Sequence, residues 1–590
     1  MRKRLLVLSL LLISGASAEE IPEVQVTATR VEVPVEHVGD DVDIITQEEI
    51  KKYGFTSIAD VLKYVAGVHI SSNGGFGQTT SVYMLGLPTK YILVMIDGVP
   101  VNDPSSIDSQ ANFVYIDLNN VERIEVLKGA QGALYGSEAI AGVINIITKK
   151  PDKNELKLNF EGGKYKTFKE NLYSALKLKD GYLSLSFENF KTNGFSATND
   201  KSPNYESDSD KYSYRSGWIS YGWNLTDTVK ITGNFKLKEG TVEYDSSWTP
   251  DAYTTYNNYF AGVKIDKIFS DNFMITTKLS NNKEVRNYGR DIIGITRYVS
   301  IQPIYYLLDN LFLTGGINYK QEITNTSGAP NLHTKSAFFE IHTDYLGVHN
   351  TFAIRRDFHS QFGAKTTYKV SSAYDFKETG TTLKGQYGTG FKAPNISQLY
   401  GYGGNPDLRP EISEGWILGI KQGINFQKLN GNVEVNYFKN HVWDMIDWYP
   451  PGSWTGSYRN VNKATTEGAE VKINADITDW LNVYGTYTHL HTSKDLRARR
   501  PEISYTLGFN SVYQKIKFSA WAEHYSDRED SNGKTLPSFT TYNCYASYQL
   551  NDRVNFYLKG INLTDKDYEL AYGYNTMGRA FFAGVNLNFR

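Results

Sequence analysis

Apolar and polar residues alternate along most of this chain. In residues 182–188, Leu183, Leu185 and Phe187 alternate with tyrosine, serine and glutamate, and residues 581–589 repeat the pattern. Successive side chains of a β-strand point to opposite faces of a sheet. From about residue 155 to the end, the pattern therefore predicts strands with one apolar face and one largely polar face.

Two classes of all-β protein show such alternation: a secreted sandwich or propeller, and a membrane barrel. Residues 155–590 are long enough that their polar positions would leave a soluble protein without a core. The polar stretches are also unequal, since 191–213 and 239–258 are long while Thr226-Asp227 and Asn551-Asp552 are tight. Outer-membrane barrels have short periplasmic turns and longer outer loops, and a bilayer forces their sheets to close. We therefore predict a transmembrane β-barrel, with the secreted sandwich or propeller as the alternative.

Chain length predicts the size of this barrel. At roughly 20 residues per strand and connection, residues 155–590 give about 22 antiparallel strands, the size of plugged outer-membrane transporters. Such a lumen is wide, and the preceding residues 40–150 form the segment that could fill it. The predicted fold is thus a β-barrel with an N-terminal α+β plug domain inside the lumen.

The plug segment has mixed patterning. Residues 46–65 show helical spacing of apolar residues, and Thr46 opens a capping box with Glu49. Strands are predicted at 91–96, 121–127 and 142–148, with a turn at Asp97-Gly98.

The N-terminus has the three parts of a secretory signal. Arg2, Lys3 and Arg4 precede an apolar run over 5–13, and small residues at 16–18 offer a cleavage site. The chain is therefore expected to leave the cytoplasm, with residues 1–18 as a signal peptide.

Composition excludes several functions. With 62 basic and 64 acidic residues, the chain lacks the basic footprint of nucleic-acid binding. Aromatic residues make up 14% of the chain, which suits contact with outer-membrane lipid at headgroup level. Cys544 is the single cysteine, so no intramolecular disulfide can form. No H-E-x-x-H or G-x-S-x-G motif occurs, and no enzymatic function is expected.

Several motifs resemble those of TonB-dependent outer-membrane receptors. The sequence Ile-Asp-Gly-Val at 96–99 resembles a plug turn of that family, and 132–137 with 142–148 resembles its closing plug signature. A β-prone hexamer that follows the signal peptide resembles its TonB box: Glu23, Val24, Gln25, Val26, Thr27 and Ala28. The family usually has arginines where this chain has Leu85 and Lys128, which puts in doubt an arginine cluster between plug and barrel.

This resemblance implies an active transporter in the outer membrane of a Gram-negative bacterium. The partner would be TonB with its inner-membrane energy complex, and TonB would pair with residues 23–28 by strand addition. The implied domains are a signal peptide (1–18), a TonB box and linker (19–39), a plug (40–150) and a barrel (151–590). An outer-membrane lipase or protease barrel, an adhesin and a passive porin are alternatives that the plug and coupling segment disfavour.

Within the family, further motifs resemble the cobalamin-transporting branch. They lie at 73–78, 392–395, 398–401, 404–408, 565–569 and 572–574. The implied cargo is cobalamin or a related corrinoid, and the alternative is an iron–siderophore or another metal chelate. By the same resemblance, the candidate substrate-binding residues are Asn73, Gln78, Ser81, Ser106, Ile107, Arg499 and Arg500.

Carboxylates cluster in the first two long outer loops. Glu206, Asp208 and Asp210 alternate in one loop, so their side chains could face one side. Calcium takes 6–8 oxygen ligands, mostly carboxylate and carbonyl. The cobalamin-transporting branch holds calcium in these loops, and the resemblance implies six ligands here: Glu206, Asp208, Asp210, Tyr244, Asp245 and Asp251. Ser196 stands where that branch has a further aspartate.

Overall fold

A computed structural model describes the protein at residues 25–27, 29–249, 251–326, 328–450, 455–461 and 463–589. The predicted signal peptide, residues 1–18, lies outside the described residues. So do Glu23, Val24 and Ala28 of the predicted coupling segment.

The N-terminal part is a small α+β unit. Strands β3, β8, β9, β6 and β7 lie side by side in that order, and β6 and β9 are parallel while the other neighbours are antiparallel. Two-stranded sheets β1–β2 and β4–β5 accompany it. The elements are β1 Gln25–Val26, β2 Val33–Pro34, a 3-10 helix Val35–His37, β3 Val42–Thr46, α1 Gln47–Lys52, α2 Ile58–Leu62, β4 Val68–Ser72, β5 Thr80–Met84, a 3-10 helix Thr89–Tyr91, β6 Ile92–Ile96, β7 Val99–Pro100, a 3-10 helix Phe113–Tyr115, β8 Val121–Lys128, α3 Gly132–Tyr135 and β9 Gly142–Thr148.

The long helix predicted over residues 46–65 is wrong, because two short helices replace it. Thr46 does form the predicted capping box with Glu49, but α1 ends before Gly54, whose φ of +63° leaves the helical region. Ser57 and Asp60 then form a second capping box that starts α2. The apolar residues keep helical spacing across the break, so their pattern does not reveal that the helix ends at this point.

The predicted turn at Asp97-Gly98 joins β6 to β7. Asp97 and Gly98 both have positive φ, at 50° and 76°. Positive φ at both central residues is typical of the type I′ turn, whose twist matches that of a two-stranded hairpin.

The remaining chain forms a closed antiparallel barrel of 22 strands, which confirms the predicted fold class. Strand β35 closes it by pairing with β10. The elements are β10 Glu155–Gly163, a 3-10 helix Lys164–Lys166, β11 Thr167–Leu178, β12 Gly181–Thr192, β13 Tyr212–Thr226, β14 Val229–Glu243, β15 Tyr253–Ser270, β16 Phe273–Asn287, β17 Asp291–Leu308, β18 Leu311–Thr324, β19 Leu332–Tyr345, β20 Val348–His359, β21 Gly363–Phe376, β22 Thr381–Lys392, α4 Ile396–Tyr400, β23 Glu411–Phe426, β24 Leu429–Trp443, β25 Ile446–Tyr449, β26 Ser457–Asn460, β27 Ala464–Thr478, β28 Leu481–Thr492, a 3-10 helix Lys494–Leu496, β29 Ile503–Tyr513, β30 Ile516–Tyr525, β31 Arg528–Glu529, β32 Thr535–Leu536, β33 Phe539–Asn551, β34 Val554–Ile561 and β35 Ala580–Phe589. Strands β25–β26 and β31–β32 are separate hairpins in loops.

The two faces of the barrel strands differ as the alternation predicts. In β12, Leu185 and Phe187 are 45% and 44% exposed on the outside, whereas Ser186 and Glu188 are 6% and 2% exposed on the inside. The outer surface is therefore apolar and the inner surface polar, as a lipid-embedded barrel with a wet lumen requires.

The two rims of the barrel differ in the length of their connections. Two-residue turns such as 179–180, 227–228 and 346–347 lie at one rim, and the long loops lie at the other. By the usual asymmetry of outer-membrane barrels, these are the periplasmic rim and the outer rim. The second acidic loop spans only 244–252, shorter than predicted, because β14 and β15 continue to Glu243 and from Tyr253.

The N-terminal unit fills the barrel and packs closely against its wall. A Cβ atom at Gly132 would lie 2.8 Å from the Thr389 carbonyl oxygen, so only glycine allows α3 to approach strand β22 this closely. Among the described residues, no helix is long and apolar enough to cross a membrane.

Candidate functional site

The loop between β7 and the helix Phe113–Tyr115 forms one apex of the plug. Ile107 at its tip is 62% exposed, so its apolar side chain is accessible. Ser106 is buried, and its hydroxyl donates to the Asp103 and Gln110 carbonyl oxygens at 2.9 and 3.2 Å. Of these two candidates, the side chain of Ile107 is therefore the one available to a ligand.

A short barrel-loop helix, α4, holds this apex in place. The Asn395 Nδ2 group donates to the carbonyl oxygens of Ser106 and Ile107 at 2.9 and 2.8 Å, and Gln398 Nε2 donates to Asp108 Oδ1 at 2.8 Å. Asn395 and Gln398 lie in two motifs, 392–395 and 398–401, that indicated the family branch but no role for either side chain. Their capping box in α4 is a local signal that could have marked them.

The loop between β4 and β5 forms the second described apex, and both its ends bond to the barrel. Asn73 Oδ1 accepts from Arg499 Nη1 at 2.8 Å, and Gln78 Nε2 donates to the Glu243 carbonyl oxygen at 2.7 Å. Ser81 lies beside this apex in β5, opposite Ser71, and is partly exposed. The structure thus brings Asn73 and Arg499 together and places Gln78 at the opposite side of the loop.

Protein groups already engage the two candidate arginines. Arg499 Nε lies 2.8 Å from Asp530 Oδ1. Arg500 stacks 4.4 Å above the Tyr83 ring and donates from Nε to the Gly86 carbonyl oxygen at 2.5 Å. Both arginines therefore fix the β4–β5 apex and its flanking strand, and direct contact of either with a ligand stays a prediction.

Three of the six candidate calcium ligands form a compact cluster. One carboxylate oxygen each from Glu206, Asp208 and Asp245 lies within 4.8 Å of the others. Asp245 Oδ2 accepts from the Thr198 backbone N–H and hydroxyl at 2.7 and 2.6 Å. Asp245 Oδ1 is buried and has no hydrogen-bond partner among the residues that the structure describes. A cation would satisfy this oxygen and offset the repulsion among the carboxylates.

The other three candidates surround the cluster without joining it. Asp210 is buried and accepts from the Ala197 backbone N–H at 2.5 Å, and burial together with the carboxylates of Asp245 and Asp208 raises its pKa to about 7. Asp251 is exposed on the second loop. The Tyr244 ring instead packs against Tyr288, with ring centroids 6.2 Å apart.

The described part of the predicted coupling segment is folded into the plug. Strand β1 pairs with β2, and Val26 is fully buried. The Thr27 hydroxyl donates to Glu125 Oε2 at 2.5 Å, and its carbonyl oxygen accepts from the Tyr135 hydroxyl at 2.6 Å. These contacts keep residues 25–27 inside the barrel.

A buried ion cluster, which no sequence pattern predicted, joins the plug to the barrel. Lys128 Nζ lies 2.8 Å from Asp41 Oδ2 and 3.0 Å from Asp43 Oδ2, both in the plug, and it also pairs with Glu470 of the barrel. Lys472 contacts the same two aspartates at 2.7 and 2.8 Å. Lys128 thus supplies a cation where the family usually has arginine. The barrel residues of the cluster, Glu470 and Lys472, occupy lumen-facing positions of an alternating strand, and no local pattern distinguishes them from other such positions.

Family models match both parts of the chain. The TonB-dependent receptor plug domain matches residues 34–143, and the TonB-dependent receptor-like β-barrel matches residues 151–563. The chain therefore belongs to the TonB-dependent receptors, which transport ligands across the outer membrane of Gram-negative bacteria with TonB as partner.

Curated relatives and solved structures point to different members of this family. The chain is 28% identical to the vitamin B12 transporter BtuB of Vibrio vulnificus, over 98% of this chain and 97% of that protein, and 28% identical to BtuB of Photobacterium profundum, over 96% and 95%. It is 18% identical to the Pseudomonas aeruginosa ferric enterobactin receptor PfeA solved with enterobactin, with a TM-score of 0.78 over 93% of this chain and 99% of that one. The Acinetobacter baumannii siderophore receptor PirA gives 18% identity and a TM-score of 0.80, over 93% and 98%. At this identity the solved structures support the fold alone.

Proposed function

We propose that this TonB-dependent receptor takes up cobalamin or a related corrinoid. The observation that carries the proposal is the 28% identity to vitamin B12 transporters, which extends over 98% of the chain and so includes plug, barrel strands and outer loops. Fold alone cannot select a cargo, because all members of the family share the plug and barrel.

The chemistry of the plug apices fits this ligand class. A corrinoid has an apolar ring face and an amide-rich edge. Ile107 offers apolar contact, while Ser81 and the backbone of the β4–β5 apex offer hydrogen-bonding groups. The bonds from Asn395 and Arg499 hold the two apices in place before the ligand arrives, which reduces the entropy lost on binding.

Transport then requires TonB to reach the coupling segment. Residues 25–27 are held inside by Glu125 and Tyr135, so ligand binding at the apices would have to weaken these contacts and release residues 23–28 to the periplasm. TonB would add a strand to the released segment and pull on it. The protein itself breaks no covalent bond.

An iron–siderophore complex is the alternative cargo. The siderophore receptors among the solved structures share the fold, with TM-scores of 0.78 and 0.80. The two cargoes differ in chemistry, so one binding assay distinguishes them.

The deciding experiment measures binding of cyanocobalamin and of ferric enterobactin to the purified protein in detergent. We expect saturable binding of cyanocobalamin, weakened by Ile107→Asp. Leu346→Asp is the control, because Leu346 is also a highly exposed apolar residue, at 79%, but lies in a periplasmic turn. If the protein bound ferric enterobactin and did not bind cyanocobalamin, the proposed cargo would be a siderophore and not a corrinoid.

We further propose that calcium orders the two acidic loops through Glu206, Asp208 and Asp245. The unpartnered Asp245 Oδ1 and the close approach of the three carboxylates support this proposal. Asp210 and Asp251 would add negative charge around the ion.

Calcium titration of the purified protein tests the site. Asp208→Asn removes one carboxylate charge from the cluster and should weaken calcium binding. Asp200→Asn is the control, since Asp200 is an exposed aspartate of the same loop outside the cluster. Equal calcium affinity in the two variants would contradict the calcium site. The proposal of corrinoid uptake would not be affected.

A further inference from the structure

A second group of potential metal ligands lies at the periplasmic rim, at the opposite end of the barrel from the acidic loops. It consists of His37, Asp344 and His349, each of which offers one ligand atom within 4.8 Å of the others. His37 belongs to the 3-10 helix between β2 and β3 of the N-terminal unit. Asp344 and His349 flank the two-residue turn between β19 and β20. The group therefore joins the N-terminal part of the chain to the barrel.

Both imidazole rings face the same carboxylate. His37 Nδ1 lies 2.8 Å from Asp344 Oδ2, and His349 Nδ1 lies 3.0 Å from Asp344 Oδ1. The two rings stack with their centroids 4.4 Å apart and their planes 15° from parallel. Two nitrogens and one carboxylate thus lie close together from two separate parts of the fold, and the partly exposed His37 ring has to turn out of the stack for both nitrogens to bind one ion.

His349 carries an unpartnered nitrogen aimed into this group. The residue is 4% exposed, and its Nδ1 atom has no hydrogen-bond partner among the described residues, although Asp344 Oδ1 is only 3.0 Å away. Oδ1 therefore lies too far off the direction in which Nδ1 could donate a hydrogen bond. A cation in the direction in which Nδ1 points, beside Oδ1 and not on the line between the two atoms, would coordinate both and give the buried nitrogen a partner.

Asp375 fixes the orientation of the His349 ring. Its Oδ2 atom lies 2.9 Å from His349 Nε2, so Nε2–H donates there and Nδ1 is the nitrogen that faces Asp344 and that a metal would bind. Zinc-binding histidines are commonly held in this way, with a carboxylate on the nitrogen that does not bind the metal. Imidazole nitrogens with a carboxylate oxygen are the ligand set that zinc and neighbouring divalent transition metals prefer.

We propose that His37, Asp344 and His349 bind a divalent transition metal of the zinc class. Three protein ligands leave a fourth tetrahedral position for water, which can enter because the side chains of His37 and Asp344 are 31% and 28% exposed. The site does not depend on the identity of the cargo.

The position of the site gives it a mechanical role. His37 lies between the segment that TonB would grip and Val42, where the plug sheet begins. A metal that bridges His37 to the β19–β20 turn would anchor the chain at this point. The β1–β2 hairpin could then move while the plug sheet behind His37 stays attached to the barrel.

The test is a titration of the full-length, untagged protein in detergent with Zn²⁺, in competition with a chromophoric chelator. Cobalt(II) provides a second readout, because its visible absorption reports four-coordinate nitrogen and oxygen ligation. His37→Gln and His349→Gln should each weaken binding by more than about tenfold. His333→Gln is the matched control, since His333 lies at the outer end of β19, away from the group.

Heat-modifiable migration on gels shows whether each variant keeps a folded barrel. If the His349→Gln variant fails to fold because His349 is buried, His37→Gln still tests the proposal. Binding that is tight in the wild type and in His333→Gln but weak in His37→Gln supports the proposal. Wild-type protein that binds zinc no more tightly than His37→Gln overturns it. A loss in His349→Gln alone also overturns it, because the metal would then not reach the N-terminal segment.

Discussion

At the residue scale, one hydroxyl group helps to hold the coupling segment inside the barrel. The Tyr135 hydroxyl donates to the Thr27 carbonyl oxygen from outside the segment, so it can be removed without changing what TonB would bind. We expect Tyr135→Phe to cost the retained segment about 1 kcal/mol, typical of one hydrogen bond, and to raise the released population about fivefold. Affinity for the purified C-terminal domain of TonB, measured without ligand, should increase accordingly.

Tyr115→Phe is the matched control for this prediction. Tyr115 is another buried tyrosine of the plug, and its hydroxyl has no hydrogen-bond partner among the described residues. An equal increase in TonB affinity in both variants would show that general loosening of the plug, and not the bond to Thr27, is responsible.

A second prediction at this scale concerns pH and Asp210. Its pKa is raised from 3.8 to about 7 by burial and by neighbouring carboxylates, so between these values the folded loop binds a proton that the unfolded chain releases. The folded state is therefore increasingly penalised as pH rises from about 4 to 7. Calcium would offset this penalty, so the calcium-induced rise in Tm should be larger at about pH 8 than at about pH 5.

Thermal unfolding in calcium and in chelator, at both pH values, checks this prediction. In Asp210→Asn, which has no titrating group at this position, the difference between the two pH values should shrink. A calcium effect on Tm that is the same at both pH values in the wild type would argue against carboxylate titration in these loops.

At the scale of elements, the coupling segment separates binding from transport. Replacing residues 23–28 by a proline-containing segment removes backbone N–H donors that strand addition requires. We expect ligand binding to survive and uptake by cells to stop. Replacing residues 19–22 by alanines is the control and should leave uptake intact, whereas uptake that persists without residues 23–28 would contradict the coupling mechanism.

The elements also show where prediction from sequence succeeded. Alternation in β12 and β35 predicted both the strands and their outward faces, because period two is a local property of the backbone. It failed at residues 46–65, where apolar spacing continued across the break at Gly54. It also overestimated the second acidic loop, because polar residues at the ends of β14 and β15 still pair in the ladder.

At the scale of the whole molecule, the Lys128 cluster holds plug and barrel together. Lys128→Met would leave the carboxylates of Asp41, Asp43 and Glu470 with less neutralising charge in a buried site, at a cost of about 3–5 kcal/mol. We expect the plug to unfold at lower denaturant concentration while the barrel remains folded.

Separate probes of plug and barrel unfolding in denaturant would measure this effect. Lys153→Met is the control, because Lys153 is exposed in the connection between plug and barrel. An unchanged plug transition in Lys128→Met would mean that Lys472 alone neutralises the two aspartates.

The sequence by itself determined the barrel, its approximate strand number, the plug and the family. These follow from local periodicity, from length and from short motifs, all of which are properties of neighbouring residues. It also placed Glu206, Asp208 and Asp245 on two successive loops. Only the tertiary structure decided which of the six acidic-loop candidates converge, that Arg499 and Arg500 bond within the protein, and that Lys128 and His37 meet charges far along the chain. The contacts of Arg500, Lys128 and His37 join parts of the chain separated by hundreds of residues. Their partners are set by barrel closure and by the position of the plug in the lumen, which no local pattern encodes.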